Sequence, residues 1–478
     1  MSQAILDGSG LGALELVSLS GAPWTSTIAP GALERVRRSW ELAVASAQRR
    51  PVYGRTTGVG ANRNVTLANP TEQDRRLLRS HASGSGPGVP TRTVRATMIV
   101  RLNQLLNGGS GIHPDVIPAI AGALADGNVP SVHAYGAIGT ADLSALAEIA
   151  LALMGEVPFE NGQVRSYWTP VTGDALAFIE SNAMTVAQGC LGLAEAENWL
   201  DHYLLTSALS LVAVKGSTEP FSAAVHAARP QAGQAEVAQR MRELLEGCTP
   251  AAARVQDSYG FRALPQVAGA LRASLDAQAS VLGIEINAAA ENPLYSVDGG
   301  DVFHNANFHA LPLALAMDHT KLALASAAHL SGARLNNLSD PGMTGLNPFL
   351  ADGEPGSSGV MLLEYNSAAA LARLRTAAQP ASLGVTVISR GTEDHASFAA
   401  QAADQLRDAL RAATDALACE LISATRAVSL TGAAMDPATR VGQYFLEAQN
   451  RFNPDVNDRP LGEDLAAAAG LLQLSFDL

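Results

Sequence analysis

Three side chains in this 478-residue sequence combine chemically capable groups with Gly- or Pro-rich surroundings. Tyr53 lies in "VYGRTTGVG", Arg262 in "VQDSYGFRALPQVAG" and Glu393 in "GTEDHASF". A phenol ordinarily has a pKa of about 10, so it serves as a base near neutrality only where cations or helix N-termini lower that value. A guanidinium fork meets a carboxylate through two parallel hydrogen bonds, fixing orientation as well as charge. A carboxylate accepts the N–H of an imidazole, a donor that a phenyl ring lacks. Each residue also has a plainer reading. Tyr53 can pack its ring and bond through its hydroxyl, Arg262 can sit in a structural ion pair, and Glu393 can pair with Arg390. His81, in "SHASG", reads either as a structural histidine or as a pocket residue. The amides Asn182 and Gln256 either close loops or contact a ligand.

These residues need a scaffold, and the rest of the sequence reads as helices. Hydrophobic residues make up 47% and charged residues only 16%, which suits buried helices and argues against disorder. Apolar residues recur at three- and four-residue spacing in "ALERVRRSWELAVASAQRR" and "NAMTVAQGCLGLAEAENWLDHYLLTSAL". The segment "HALPLALAMDHTKLALASAAHLSGARL" is apolar over much of its circumference, as expected of a helix buried on several sides. Strand-like alternation is scarce, so the predicted fold is mainly α. Gly, Pro and Asn clusters such as "RTTGVGANRN", "HASGSGPGVPTRT" and "SDPGMTGLNPFLADGEPGSSG" read as loops. A boundary is predicted near residue 195, between a loop-rich N-terminal region (1–195) and a long-helix region (196–478), packed as one intimate unit.

The net charge of −13 makes nucleic acid a poor partner. No apolar run is long enough for a membrane span. Cys190, Cys248 and Cys419 form no CxxC pair, which fits a reduced, cytoplasmic protein without a metal site. The Gly-rich stretches lack the strand–helix context of a nucleotide fingerprint, so no external cofactor is expected.

Eight segments then converge in order: "VYGRTTGVG" (52–60), "LLRSHASG" (77–84), "GAIGTADLSALAEIAL" (136–151), "ESNAMTVAQ" (180–188), "VQDSYGFRALPQVAG" (255–269), "ENPLY" (291–295), "NFHALPLA" (307–314) and "GTEDHASF" (391–398). Together they resemble the aromatic amino acid lyase family, typified by histidine and phenylalanine ammonia-lyases, over roughly residues 10 to 470. The resemblance implies a long-helix bundle of the histidine ammonia-lyase-like fold, assembled as a homotetramer with active sites shared between subunits. It also implies a small aromatic or imidazole amino acid as substrate. By the same resemblance Tyr53 is the base, Tyr259 stabilises charge or orients it, and Arg262 holds the substrate carboxylate. Gln256 and Asn182 contact substrate or electrophile, and Asn307 and His309 support the site. His81 and Glu393 match pocket residues of members acting on polar rings.

In that family an Ala-Ser-Gly tripeptide cyclises to a methylidene-imidazolone electrophile. Here the loop reads Gly139-Thr140-Ala141-Asp142, one residue shorter and without serine. The methylidene carbon derives from the serine β-carbon after loss of its hydroxyl, and Ala141 has no leaving group. No methylidene-imidazolone is expected from Thr140-Ala141-Asp142. Thr56 and Arg390 also depart from the histidine-specific pattern. The resemblance therefore implies a C–N lyase that eliminates an amine or ammonia without the electrophile. Release of trimethylamine from a thiolated imidazole betaine, as in the ergothionases, is the leading expectation. A conventional ammonia-lyase and a catalytically silent scaffold are the alternatives.

Overall fold

In a computed structural model, residues 5–21, 24, 26–248, 251–433 and 435–476 are described. The chain is mainly α. Strands among the described residues are confined to three short pairs: Ile5–Leu6 with Thr27–Ile28, Ser85–Gly88 with His133–Tyr135, and Leu294–Ser296 with Asp301–Phe303. The chain groups into two compact units. The first comprises 1–194, 278–317 and 380–404, and the second 195–277, 318–379 and 405–478. The division expected at residue 195 would assign 278–317 and 380–404 to the C-terminal part, whereas both group with the N-terminal residues. Packing supplies a reason: Tyr295 and Val302 share a buried cluster with Ala43 and Val52.

Within the first unit, the helix Pro30–Arg49 opens on a proline, whose missing N–H costs nothing at a helix start. It buries Ala32, Val36, Ser39, Ala43 and Ser46, a single face at three- and four-residue spacing. The helix Thr91–Asn107 is buried almost all round. Its polar side chains are consumed by distant backbone. Arg101 donates from Nε to the Phe178 carbonyl at 2.9 Å and from Nη2 to that of Ala177, and Nη1 lies 2.8 Å from Glu291 Oε1. Gln104 donates to the Glu285 carbonyl at 2.9 Å and accepts from Ser181 Oγ at 2.6 Å. One helix thus fixes segments 177–181 and 285–291, which flank the candidate site.

One local expectation needs correction. The stretch "HASGSGPGVPTRT", read as a loop, contains the strand Ser85–Gly88 and the start of the helix Thr91–Asn107. All four strand residues are exposed and two are glycines, so no alternation could announce it. The apolar helix Leu311–Ser339 is buried on several sides, as expected, through residues such as Leu313, Ala314, Met317, Lys321 and Leu324, with Leu315 and Leu322 about half exposed.

In the second unit, Arg334 and Glu420 form a fully buried two-point ion pair, with Nε to Oε1 at 2.7 Å and Nη2 to Oε2 at 2.9 Å. Ser210 Oγ donates to the same carboxylate at 2.7 Å. Arg334 Nη1 donates to Tyr203 Oη at 3.0 Å and to the Gly260 carbonyl at 3.1 Å. That last bond anchors the short helix Tyr259–Arg262. Breaking a buried pair from one side strands a charge, whereas replacing both partners with apolar groups often does not. Arg334→Met should therefore cost about 3–5 kcal/mol of stability. Arg334→Met/Glu420→Leu should recover most of the melting temperature while leaving the Tyr259–Arg262 turn without its anchor, so activity should not return with it. Thermal melts of the three proteins, paired with activity assays, check both halves.

Candidate active site

The shortened loop is seated at the start of the long helix Ala183–Ala213. Asp142 is fully buried. Its carboxylate accepts the Thr185 N–H and the Thr185 hydroxyl, each at 2.8 Å, and its own N–H donates to the Ser181 carbonyl at 2.7 Å. A carboxylate is favoured at a helix N-terminus. Burial works the other way and pushes Asp142 up to about 6, against the pull of the Thr185 and Met184 hydrogen bonds. Asn182 accepts the Ala141 N–H at 3.1 Å and donates to the Phe308 carbonyl at 2.6 Å. The Gly139 carbonyl accepts from Ser397 Oγ at 2.8 Å and from the Ala310 N–H at 3.1 Å. Three distant segments, 181–185, 309–310 and 397, therefore hold residues 139–142.

The residues present do not fit the family's tripeptide group. Ala141, buried and in the left-handed region at φ 86, carries only a methyl. Thr140 carries the hydroxyl, one position away, and its backbone pairs with His309.

Tyr53 sits in a turn closed by Thr56, whose hydroxyl oxygen accepts the Val52 N–H at 2.8 Å. Its phenol oxygen accepts the Gly60 N–H at 2.8 Å. Burial pushes the phenol up to about 12; the Gly60 hydrogen bond and the Arg63 charge pull down, and the Glu180 and Glu393 charges push further up. Glu393 lies close to Gly60 as well, in a turn closed by the Ile388 N–H donating to the Glu393 carbonyl at 2.8 Å. His81 Nδ1 lies 3.0 Å from the Leu77 carbonyl, which calls for a proton on that nitrogen and leaves Nε2 as an acceptor. Burial moves His81 below its ordinary value, so the neutral ring is favoured, with the Leu77 contact and Glu393 opposing.

A further acid was not singled out from the sequence. Glu180 lines a water-sized cavity of about 10 Å³ with Tyr53, Glu291 and Asn292. Its Oε2 accepts the Asn292 N–H at 3.2 Å, and burial raises its pKa well above the usual carboxylate range. Its only signal was its place at the head of the "ESNAMT" segment. His395, inside "TEDH", carries no sequence signal of its own; its Nδ1 lies 2.9 Å from His309 Nε2. Asn307 is exposed, and its N–H donates to Asn305 Oδ1 at 2.8 Å.

The first unit thus carries Tyr53, His81, Gly139, Thr140, Ala141, Asp142, Asn182, Asn307 and Glu393. Gln256, Tyr259 and Arg262 belong to the second unit. There, Asp257 braces the preceding loop by accepting from the Ser217 N–H at 2.6 Å and from Arg254 Nε at 3.0 Å. The Arg262 guanidinium lies 4.4 Å from the centre of the Tyr259 ring, a cation–π contact. Tyr259 is 69% exposed, and buried Arg262 Nε has no hydrogen-bond partner among the described residues. Gln256 is exposed.

Such a helical scaffold, with a phenol and a carboxylate at one turn and a tightly held loop at a helix N-terminus, is that of the aromatic amino acid lyases. The "Aromatic amino acid lyase" family model matches residues 13–449, and the chain belongs to that family of carbon–nitrogen lyases. It is 33% identical to a histidine ammonia-lyase of Anaeromyxobacter dehalogenans, over 99% of both chains. Among solved structures it is similar to the ergothioneine-degrading enzyme ergothionase of Treponema denticola, with a TM-score of 0.93, 25% identity and 99% of each chain covered. The tyrosine aminomutase of Streptomyces globisporus matches with a TM-score of 0.93 and 28% identity, covering 98% of this chain and 97% of that one.

The loop's backbone yields opposite expectations at two neighbouring positions. A Cβ on Gly139 would lie 2.0 Å from Ser397 Oγ and 2.7 Å from the Ala399 nitrogen, at a φ of +82. Gly139→Ala should therefore lower the melting temperature sharply. Ala141→Gly relieves a left-handed alanine, worth about 1–2 kcal/mol, and gives back about 0.5–1 kcal/mol in chain entropy. It should raise stability by about 0–1.5 kcal/mol on these figures. Calorimetric melts of both variants are the check.

Proposed function

We propose that this enzyme eliminates an amine from an imidazole-bearing amino acid or its betaine, and does so without a methylidene-imidazolone. The leading substrate is ergothioneine, cleaved to trimethylamine and thiourocanate. One observation carries this reading: Tyr53 and Glu393 meet at the Gly60 turn, while the loop held at the start of Ala183–Ala213 carries Ala141 rather than serine. Likeness to a structure that is itself described as an ergothioneine-degrading enzyme supports it.

The chemistry balances without an electrophile. Tyr53, as phenolate, takes a proton from the β-carbon. The Cβ–H electrons form the new C=C bond, and the C–N electrons leave with nitrogen. A trimethylammonium group departs as neutral trimethylamine, so nothing has to capture it. A thiolated imidazole spreads the negative charge developing at the β-carbon. Glu393 accepts a ring N–H and orients the ring, with His81 beside it. Arg262 clamps the substrate carboxylate, and Tyr259 stabilises charge near the base. In this reading the enzyme is a homotetramer, and other subunits bring Tyr259, Arg262 and Gln256 to the site. The exposure of Tyr259 supports that arrangement. No helix among the described residues is long and apolar enough to cross a membrane. The free cysteines, Cys190, Cys248 and Cys419, suit a cytoplasmic setting.

Histidine is the second reading, favoured by the curated relatives named as histidine ammonia-lyases. Incubation with ergothioneine and with histidine, followed by mass spectrometry, separates the two. Trimethylamine and thiourocanate from ergothioneine alone are expected, together with an intact protein mass that shows no loss of two waters. Ammonia and urocanate, with that mass loss, would replace the proposal with an ordinary ammonia-lyase. Silence with both substrates would point to a scaffold. Tyr53→Phe should abolish turnover while ligand binding, followed by calorimetry, persists.

The raised phenol pKa gives a signed expectation. Tyr53 must lose its proton to act, and burial holds it protonated below about 12. Turnover at saturating substrate should therefore rise with pH above neutrality, following the phenolate fraction, and level off only where the phenol of the assembled enzyme ionises. A flat profile across that range would exclude a free phenol as the rate-limiting base.

A further inference from the structure

We propose that Ser389 is a positioning residue whose hydroxyl locks the Tyr53 loop to the Glu393 loop, so that phenol and carboxylate are set as one body. This inference rests on the assignment of Tyr53 as the base. It starts from the turn Gly60–Asn62. The first N–H groups of any helical turn have no partner within the turn. Here the Gly60 N–H goes to the Tyr53 phenol oxygen at 2.8 Å, and the Ala61 N–H goes to Ser389 Oγ at 3.1 Å. The direction of the bond that holds the phenol therefore depends on a turn pinned from the Glu393 side.

Three observations support the lock. Gly60 sits between the two loops so closely that a Cβ on it would lie 2.9 Å from Ser389 Oγ and 3.8 Å from Glu393 Oε1. A second bond joins the same loops, with Arg63 Nη1 donating to Thr392 Oγ1 at 2.6 Å. Ser389 and Arg390 both occupy the left-handed region, at φ 53 and 56, although neither is glycine. Such backbone persists only where its surroundings over-determine it, and it clusters at functional sites. Backbone strain alone would favour glycine at residue 389. Serine adds the acceptor that the Ala61 N–H requires.

Two variants separate the hydroxyl from the strain. Ser389→Ala removes the hydroxyl and keeps the strain, whereas Ser389→Gly removes both. Both should lower kcat by about threefold to tenfold, the worth of one neutral hydrogen bond, with KM nearly unchanged. Ser389→Asn, which tolerates the left-handed region and offers an amide oxygen, should restore part of the loss. Hydrogen–deuterium exchange gives a readout independent of turnover: amides of residues 59–63 should exchange faster in both the Ala and Gly variants. Wild-type kcat, or unchanged exchange at 59–63, in Ser389→Gly overturns the lock. Tyr53→Phe, run beside them, keeps the two ideas apart. If it remains active, the base assignment fails; if it is dead while Ser389→Gly behaves as wild type, only the lock fails.

Discussion

The buried carboxylate of Asp142, bound at the first turn of Ala183–Ala213, is the contact on which the first-unit site depends. It satisfies helix donors that would otherwise be orphaned, and it meets the positive end of the helix dipole. Once Asp142 is fixed, Ala141 delivers its N–H to Asn182, and Asn182 reaches the Phe308 carbonyl. Gly139 then presents its carbonyl to Ser397 and Ala310. Segments near 140, 182, 309 and 397 meet at one point because a single acid holds the helix start. The loop has lost a residue and a serine relative to the family pattern without losing this anchor.

Electrostatics around the phenol run against its use as a base within one chain. Burial and two nearby carboxyls hold Tyr53 protonated, and only the Gly60 N–H and Arg63 oppose them. The Arg101–Glu291 ion pair is internally balanced, and burial favours the neutral form of Glu180. A neutral Glu180 leaves Glu393 as the one full negative charge of that pair acting on Tyr53. A shared active site in an assembled tetramer would bring a guanidinium from another subunit, and a nearby cation lowers a phenol pKa. Assembly and acid–base function are, on this reading, one requirement.

The helices were legible because their apolar spacing is long and regular, as along Pro30–Arg49 and Ala183–Ala213. The strand Ser85–Gly88 was not, because its pairing is made by backbone and its residues carry no pattern. Grouping by unit was hidden as well: the return of 278–317 and 380–404 to the N-terminal residues is set by contacts far apart in sequence. Tyr53 and Glu393 stood out through their motifs. Glu180 and Ser389 did not, since a buried acid and a turn hydroxyl become notable only once their neighbours are known. The pairing of Gly60 and Ala61 with two different loops could not be read from "GVGANRN" by any local rule.

The missing serine and the retained site make sense together if the chemical burden has moved from enzyme to substrate. Ammonia leaves poorly, and each tenfold of rate costs about 1.4 kcal/mol of barrier. A built-in electrophile lowers that barrier for any amino acid that fits. A quaternary nitrogen leaves as a neutral amine, and a sulfur-bearing imidazole stabilises the β-carbanion from within. Such a substrate still needs a base, an ion-pairing cation and a ring acceptor. On the proposed function Tyr53, Arg262 and Glu393 meet those three needs, and residues 139–142 keep a structural duty alone. A silent scaffold would have no use for that particular selection, because Asp142, Asn182, Ser397 and the Ala310 N–H hold the loop in place without it.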